Sequence, residues 1–135
     1  IDPVGLVAEE CARYDNCELT GDAPDITGDP RLLPRMVRNL IDNAYKHGTQ
    51  PVSVHLETTD DSVELTVSDS GDGIQEIDYD QVFRPFFRGK GKQNTKGYGL
   101  GLPLVRQIAE AHGGTVEILP KSLARSAIRV TLPIR

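Results

Sequence analysis

Several short stretches carry residue types at spacings that suit chemistry. Asp69-Ser70-Gly71-Asp72-Gly73-Ile74 places a carboxylate ahead of two glycines, directly after Ser62-Val63-Glu64-Leu65-Thr66-Val67-Ser68. That run alternates with period two, so it predicts a strand with Val63, Leu65 and Val67 on its buried face, and Asp69 continues the inward parity. A carboxylate at the buried end of a strand is costly unless hydrogen-bond donors meet it. The glycines behind it allow a backbone or a flat ligand to come close, and a ligand bearing an exocyclic amine would suit. Alone, the hexapeptide equally describes a loop whose aspartate caps its own turn, and its neighbours decide between the readings.

Upstream, Asn39 and Asn43 stand at i and i+4 with Lys46 and His47 one turn further. At about 100° per residue, Met36, Val37, Leu40, Ile41 and Ala44 share one helical face, and Arg35, Asn39, Asn43, Lys46 and His47 share another. Asparagine is a poor helix former, so two on one stripe beside a lysine suggest amide oxygens for a hard cation next to a phosphate-binding ammonium. Downstream, Gly97-Tyr98-Gly99-Leu100-Gly101-Leu102 leads into Pro103–His112, an amphipathic segment ended by Gly113-Gly114. Glycines opening a helix make an anion site, because the first N–H groups lack internal partners. They follow a loop and not a strand, which departs from the dinucleotide-binding pattern, and no Walker Gly-Lys-Ser/Thr is present. Between these segments, Phe83 to Gly99 holds Arg84, Arg88, Lys90, Lys92 and Lys96 and no acid. A loop this long without periodicity reads as a lid over about residues 83–99, anchored by Phe83, Phe86 and Phe87, whose cations meet phosphates.

The remaining elements position these stretches. Asp2-Pro3 predicts a helix start running to about Tyr14, Cys17–Thr20 a short strand, residues 21–25 a turn, and Ile26-Thr27 a brief pairing. Asp29-Pro30 predicts a second helix to about His47, in which Pro34 is an oddity. Pro51–Thr58 and Ser62–Asp69 form a hairpin; Thr115–Leu119 and Ser126–Leu132 close the chain. His55 falls on the polar parity of its strand, and His112 is expected to interact with a helix dipole. About five strands and three helices in this order predict an α+β fold, a single mixed sheet covered on one face.

The 135 residues match one domain, and 20 acidic against 15 basic residues give a formal charge of −5, which argues against a nucleic-acid partner. Cys11 and Cys17 are too few for a zinc site and are expected to be free thiols in a reducing, cytoplasmic compartment. No apolar run is long enough to span a bilayer. A start at Ile1 without methionine suggests a piece of a longer protein.

Taken together, the chain resembles the catalytic and ATP-binding domain of a bacterial sensor histidine kinase, in the superfamily that also holds DNA gyrase, the ninety-kilodalton heat-shock chaperones and the MutL repair proteins. Asn39-Leu-Ile-Asp-Asn43-Ala-Tyr-Lys46-His47 is similar to the asparagine box, and Asp69-x-Gly71-x-Gly73-Ile74 to the first glycine box. Phe83-Arg84-Pro-Phe-Phe-Arg88 resembles the phenylalanine box, and Gly97-Tyr-Gly99-Leu100-Gly101-Leu102 the second glycine box. The resemblance covers essentially residues 1–135 and implies a two-layer sandwich of the Bergerat type, with ATP between the asparagine helix and the lid.

By that resemblance Asp69 accepts from the adenine amine, supported by Ser126, and Asn43 with Asn39 holds Mg²⁺. Lys46 and His47 face the phosphates, the second glycine box cradles them, and Arg84 or Arg88 stabilises charge on the transferring phosphoryl group. It also implies a dimerisation hairpin carrying the phosphoacceptor histidine, a response regulator downstream, and a monomeric cytoplasmic domain, itself without membrane contact, of a membrane-anchored kinase. His47, His55 and His112 are followed by Gly, Leu and Gly, so the His-Glu or His-Asp acceptor context is missing from this stretch. Arg125 stands where a glycine is common before Ser126. Two other readings compete: a serine kinase of the dehydrogenase-kinase or anti-sigma-factor type, and a non-catalytic nucleotide-binding module.

Overall fold

The computed structural model describes residues 1–71, 83, 101–122 and 125–134. Three helices, α1 (Pro3–Cys11), α2 (Leu32–His47) and α3 (Gly101–Ala111), are combined with five strands. The strands are β1 (Cys17–Gly21), β2 (Val52–Thr58), β3 (Ser62–Asp69), β4 (Thr115–Ser122) and β5 (Arg125–Pro133). They form one sheet in the order β1-β2-β3-β5-β4, parallel between β1 and β2 and antiparallel elsewhere. The parallel pair requires a crossover, which α2 supplies.

The register explains why one face is covered. Val54 pairs with Val67 and Leu56 with Leu65 across β2–β3, and Val63, Leu65 and Val67 meet Leu132, Val130 and Ile128 of β5. These residues share a face and join Val7 of α1, the Met36, Val37, Leu40, Ile41 and Ala44 stripe of α2, and Leu102, Val105, Ile108 and Ala109 of α3 in a single core. The opposite face is polar: Ser53 bonds Ser68, Thr20 bonds the exposed His55, and Arg129 donates to Glu117. The expected α+β sheet covered on one face is therefore what the chain builds.

Several boundaries differ from expectation. Asp2 caps α1 as expected, its Oδ1 accepting from Val4 N–H at 3.1 Å, but α1 stops at Cys11 and not near Tyr14. Cys11 and Cys17 are not free thiols; they form a disulfide with Cα atoms 5.5 Å apart, and the chain turns back between them through Asn16 at φ 60°. Regular helix α2 begins at Leu32, two residues later than Pro30, although Asp29 caps it as expected, its Oδ1 accepting from Arg31 and Leu32 N–H and its carbonyl from Leu33 N–H. Pro34 is the third residue of that regular helix, within its first turn, where a missing N–H costs little. Pro103 takes the same place in α3, which starts at Gly101. Ile26 joins no strand and instead exchanges main-chain hydrogen bonds with Ile1.

Candidate functional site

The site is built around the end of β3. Period-two alternation carries Asp69 to the buried side, where it is 7% exposed, opposite Ser126 in the β3–β5 register. Ser126 Oγ donates to Asp69 Oδ2 at 2.8 Å, and the main-chain N–H groups of Gly71 and Thr49 donate to Oδ1 at 2.6 and 3.2 Å. Ser70 N–H returns a bond to Thr49 carbonyl at 2.9 Å, which ties the β3 end to the turn after α2. No basic side chain among the described residues pairs with this carboxylate. Three donors satisfy part of its capacity, and Oδ2 keeps an acceptor direction for an incoming N–H.

Two glycines make this packing possible. A Cβ on Gly48 would lie 2.3 Å from Asp69 Cγ, and one on Gly71 would lie 2.8 Å from Asp69 Oδ1 and 3.1 Å from Gly48 Cα. Gly71 was expected near the site. Gly48, expected only to end a helix, and the Thr49 N–H were not. Close backbone approach leaves no side-chain signature, and the only available signal was a glycine directly after a polar helical stripe.

The second group of expected residues lies on α2, whose C-terminal end abuts Asp69 through Gly48. Asn39 and Asn43 are half-buried and Lys46 is exposed, so two amide oxygens one turn apart precede a cation on the same stripe. Among the described residues no His, Cys, Asp or Glu cluster has the makings of a metal site. Asn39 and Asn43 offer neutral amide oxygens, a ligand type that hard cations accept.

A shell of tyrosines supports α2 from the other side. Tyr14 and Tyr45 stack with centroids 4.8 Å apart and planes 16° from parallel. The Tyr14 hydroxyl donates to Asp42, and the Tyr45 hydroxyl to the Asp15 carbonyl. Burial, then the bond to Asp42 and its negative charge, raise the Tyr14 pKa well above that of an ordinary phenol. Tyr14 therefore stays a donor throughout the neutral range. His112 meets the end of α3 as expected, its Nδ1 2.8 Å from the Ile108 carbonyl in the last turn, and in addition accepts from Asp29 N–H through Nε2 at 3.0 Å. It links the end of α3 to the start of α2.

Gly101 opens α3, and Leu102 is fully buried beneath it, so the glycine and the leucine have different roles. Phe83 packs against the core, with the Arg106 guanidinium 5.9 Å from its ring centroid. The His47 side chain, Gly73, Ile74, Arg84, Arg88, Gly97, Gly99 and Leu100, and the rest of the expected lid, lie outside the described residues. No helix among the described residues is long and apolar enough to cross a membrane.

A family model described as histidine kinase-, DNA gyrase B- and HSP90-like ATPase matches residues 28–135. The adaptive-response sensory kinase SasA of Gloeothece citriformis is 36% identical over 121 residues, 87% of this chain and 30% of that protein. The sensor histidine kinase GtrS of Pseudomonas aeruginosa is 36% identical over 127 residues, 93% of this chain and 26% of that protein. The chain thus spans less than a third of either relative. Among solved structures, the mycobacterial sensor histidine kinase MprB superposes with a TM-score of 0.83 at 29% identity, covering 100% of this chain and 97% of that one. The ATP-binding domain of PrrB from Mycobacterium tuberculosis gives 0.77 at 29% identity, covering 100% and 96%. Family model, sequence relatives and solved folds agree, and the chain belongs to the histidine kinase-, DNA gyrase B- and HSP90-like ATPase family, among its sensor histidine kinase members.

Proposed function

We propose that the Asp69 pocket binds ATP by its adenine amine and that residues 1–135 serve as the catalytic domain of a sensor histidine kinase. The observation that carries this reading is the buried carboxylate itself. Asp69 is held in place by donors from Ser126, Gly71 and Thr49, with one acceptor direction left and glycine backbone close by. An exocyclic amine satisfies that direction, and a flat ring fits against glycine.

From this anchor the phosphates extend along α2 toward α3. Lys46 and His47 neutralise their charge, and the backbone at Gly97, Gly99, Leu100, Gly101 and Leu102 donates to them as the opening of a helix does. Asn43 and Asn39 would hold Mg²⁺, which when bound offsets charge on the β- and γ-phosphates. Residues 83–99 act as the lid, and Arg84 or Arg88 stabilises the transferring phosphoryl group. The acceptor imidazole, on a dimerisation hairpin outside this chain, attacks the γ-phosphorus. The bond to the β–γ bridging oxygen breaks, ADP leaves, and the imidazole proton passes to solvent. A response regulator then receives the phosphoryl group, and in this reading the domain is the cytoplasmic part of a membrane-anchored parent.

A calorimetric titration with a non-hydrolysable ATP analogue, with and without Mg²⁺, tests the pocket. Asp69→Asn is expected to weaken binding at least about a hundredfold, the loss of a charge-assisted bond inside a buried site. Equal affinity in the variant would sink the adenine assignment. Joining the chain to a hairpin with an acceptor histidine should then yield acid-labile phosphoprotein, whereas acid-stable phosphoserine on a partner would point to the serine-kinase branch.

A further inference from the structure

We propose that the Cys11–Cys17 disulfide is a redox latch on the nucleotide pocket. Its closed form holds the turn that donates to Asp69, and its reduced form releases that turn. The proposal rests on the nucleotide reading of the Asp69 site.

The disulfide closes a loop of five residues, Ala12 to Asn16. Its second half keeps one bond back to α1, from Tyr14 N–H to Cys11 carbonyl, and otherwise reaches α2, Gln50 and the start of β2. Tyr14 stacks on Tyr45 and donates to Asp42, so it grips α2 on both sides of Asn43. The Asp15 carbonyl accepts from Tyr45. Asn16 carbonyl accepts from Val52 N–H at 3.0 Å, and its amide donates to Gln50 Oε1 at 3.1 Å. The loop therefore holds the chain on either side of the segment from Gly48 to Pro51, at Asp42 and Tyr45 before it and Val52 after it, and grips Gln50 within it. Thr49 of that segment donates its N–H to Asp69 and accepts from Ser70 N–H.

Two features make the clamp depend on the covalent link. Asn16 sits in the left-handed region at φ 60°, which asparagine tolerates better than most L-residues but does not prefer when free, and its side-chain bond to Gln50 is exposed. Opening the disulfide lets Asn16 relax and takes the anchor from one end of the loop. The chemistry is accessible from one side only, since Cys17 is half-buried and Cys11 only 7% exposed. A thiolate of a dithiol reductant attacks Cys17 Sγ, and Cys11 leaves as thiolate and takes a proton. The reductant's second thiol then resolves the mixed disulfide, leaving two protein thiols and one reductant disulfide, a balanced two-electron exchange. In a reducing compartment such a disulfide forms transiently and serves as a sensor.

The test compares the oxidised chain, with no free thiol, and the dithiothreitol-reduced chain, with two. Amide hydrogen exchange at Thr49 and affinity for a non-hydrolysable ATP analogue are measured in both. Reduction is expected to speed Thr49 exchange about tenfold and weaken the analogue about fivefold, while Val105 and Val130 keep their protection. Cys17→Ser should match the reduced chain and ignore the reductant. Unchanged Thr49 exchange and affinity would overturn the latch. So would loss of protection at Val105 and Val130 together, which would make the disulfide a staple of the whole fold. No binding in either form would refute the nucleotide reading, and Thr49 exchange would then still decide whether the loop governs the turn.

Discussion

Asp69 is a buried carboxylate whose partners are one hydroxyl and two backbone N–H groups, and this determines how each neighbour should respond to substitution. Ser126→Ala removes the donor on Oδ2, and water can partly replace it at this rim. The expected effect is therefore about three- to tenfold weaker binding of the ATP analogue with the fold unchanged. No change in affinity would mean that Oδ2 is not the oxygen facing the ligand. Gly48→Ala acts by volume: its Cβ would lie 2.3 Å from Asp69 Cγ. The backbone of Gly48 is extended, φ −114° and ψ −161°, so the conformation itself tolerates alanine. Asp69 or the turn must move, and we expect at least about tenfold weaker binding by calorimetry, with little loss of helix content by circular dichroism. Asp69 was legible because strand parity carried it inward and glycines followed it. Gly48 and Thr49 were not, because backbone donors and close approach belong to the fold and not to a side chain.

Helix α2 connects the site to the rest of the molecule, and its ends are held by separate devices. The start depends on Asp29, whose Oδ1 accepts from Arg31 and Leu32 N–H while its own N–H donates to His112. The bond from Arg31, followed by that from Leu32 and the nearby charge of Arg31, holds the Asp29 carboxyl below its ordinary value near 3.8. A depressed carboxylate contributes stability that is complete above the unfolded value and is lost as pH falls through the folded one. Asp29→Asn should therefore lower the Tm at pH 7 and flatten the loss of Tm as the pH falls below about 4. Parallel acid limbs in the two proteins would refute this. The amphipathic stripe of α2 was readable from periodicity, whereas its first residue was not. Asp29-Pro30 reads as cap plus first residue; Asp29 does cap, but regular helix starts only at Leu32. The Cys11–Cys17 pairing was likewise hidden, since a spacing of six residues permits a bridge only when the chain turns back, as it does through Asn16.

At the scale of the molecule, three helices and the inner face of the sheet share one core, and the pocket stands at its edge and not within it. Alternation in 52–58, 62–69 and 126–132 made the sheet legible, but not its order: which strand neighbours which depends on a crossover and on β5 inserting between β3 and β4. One consequence of a shared core is that stability and binding respond to different residues. Leu40 is 1% exposed on the inner stripe of α2, one residue from Asn39 on the outer stripe. Leu40→Ala leaves a cavity between α2 and the sheet, and should cost about 2–5 kcal/mol in urea unfolding with an unchanged m-value. Because β3, β5 and the α2 end are held to each other by backbone bonds around Asp69, the folded fraction of this variant should bind the analogue within about threefold of the parent. A matching loss of affinity in fully folded protein would show that core packing, and not the local donor set, positions the carboxylate.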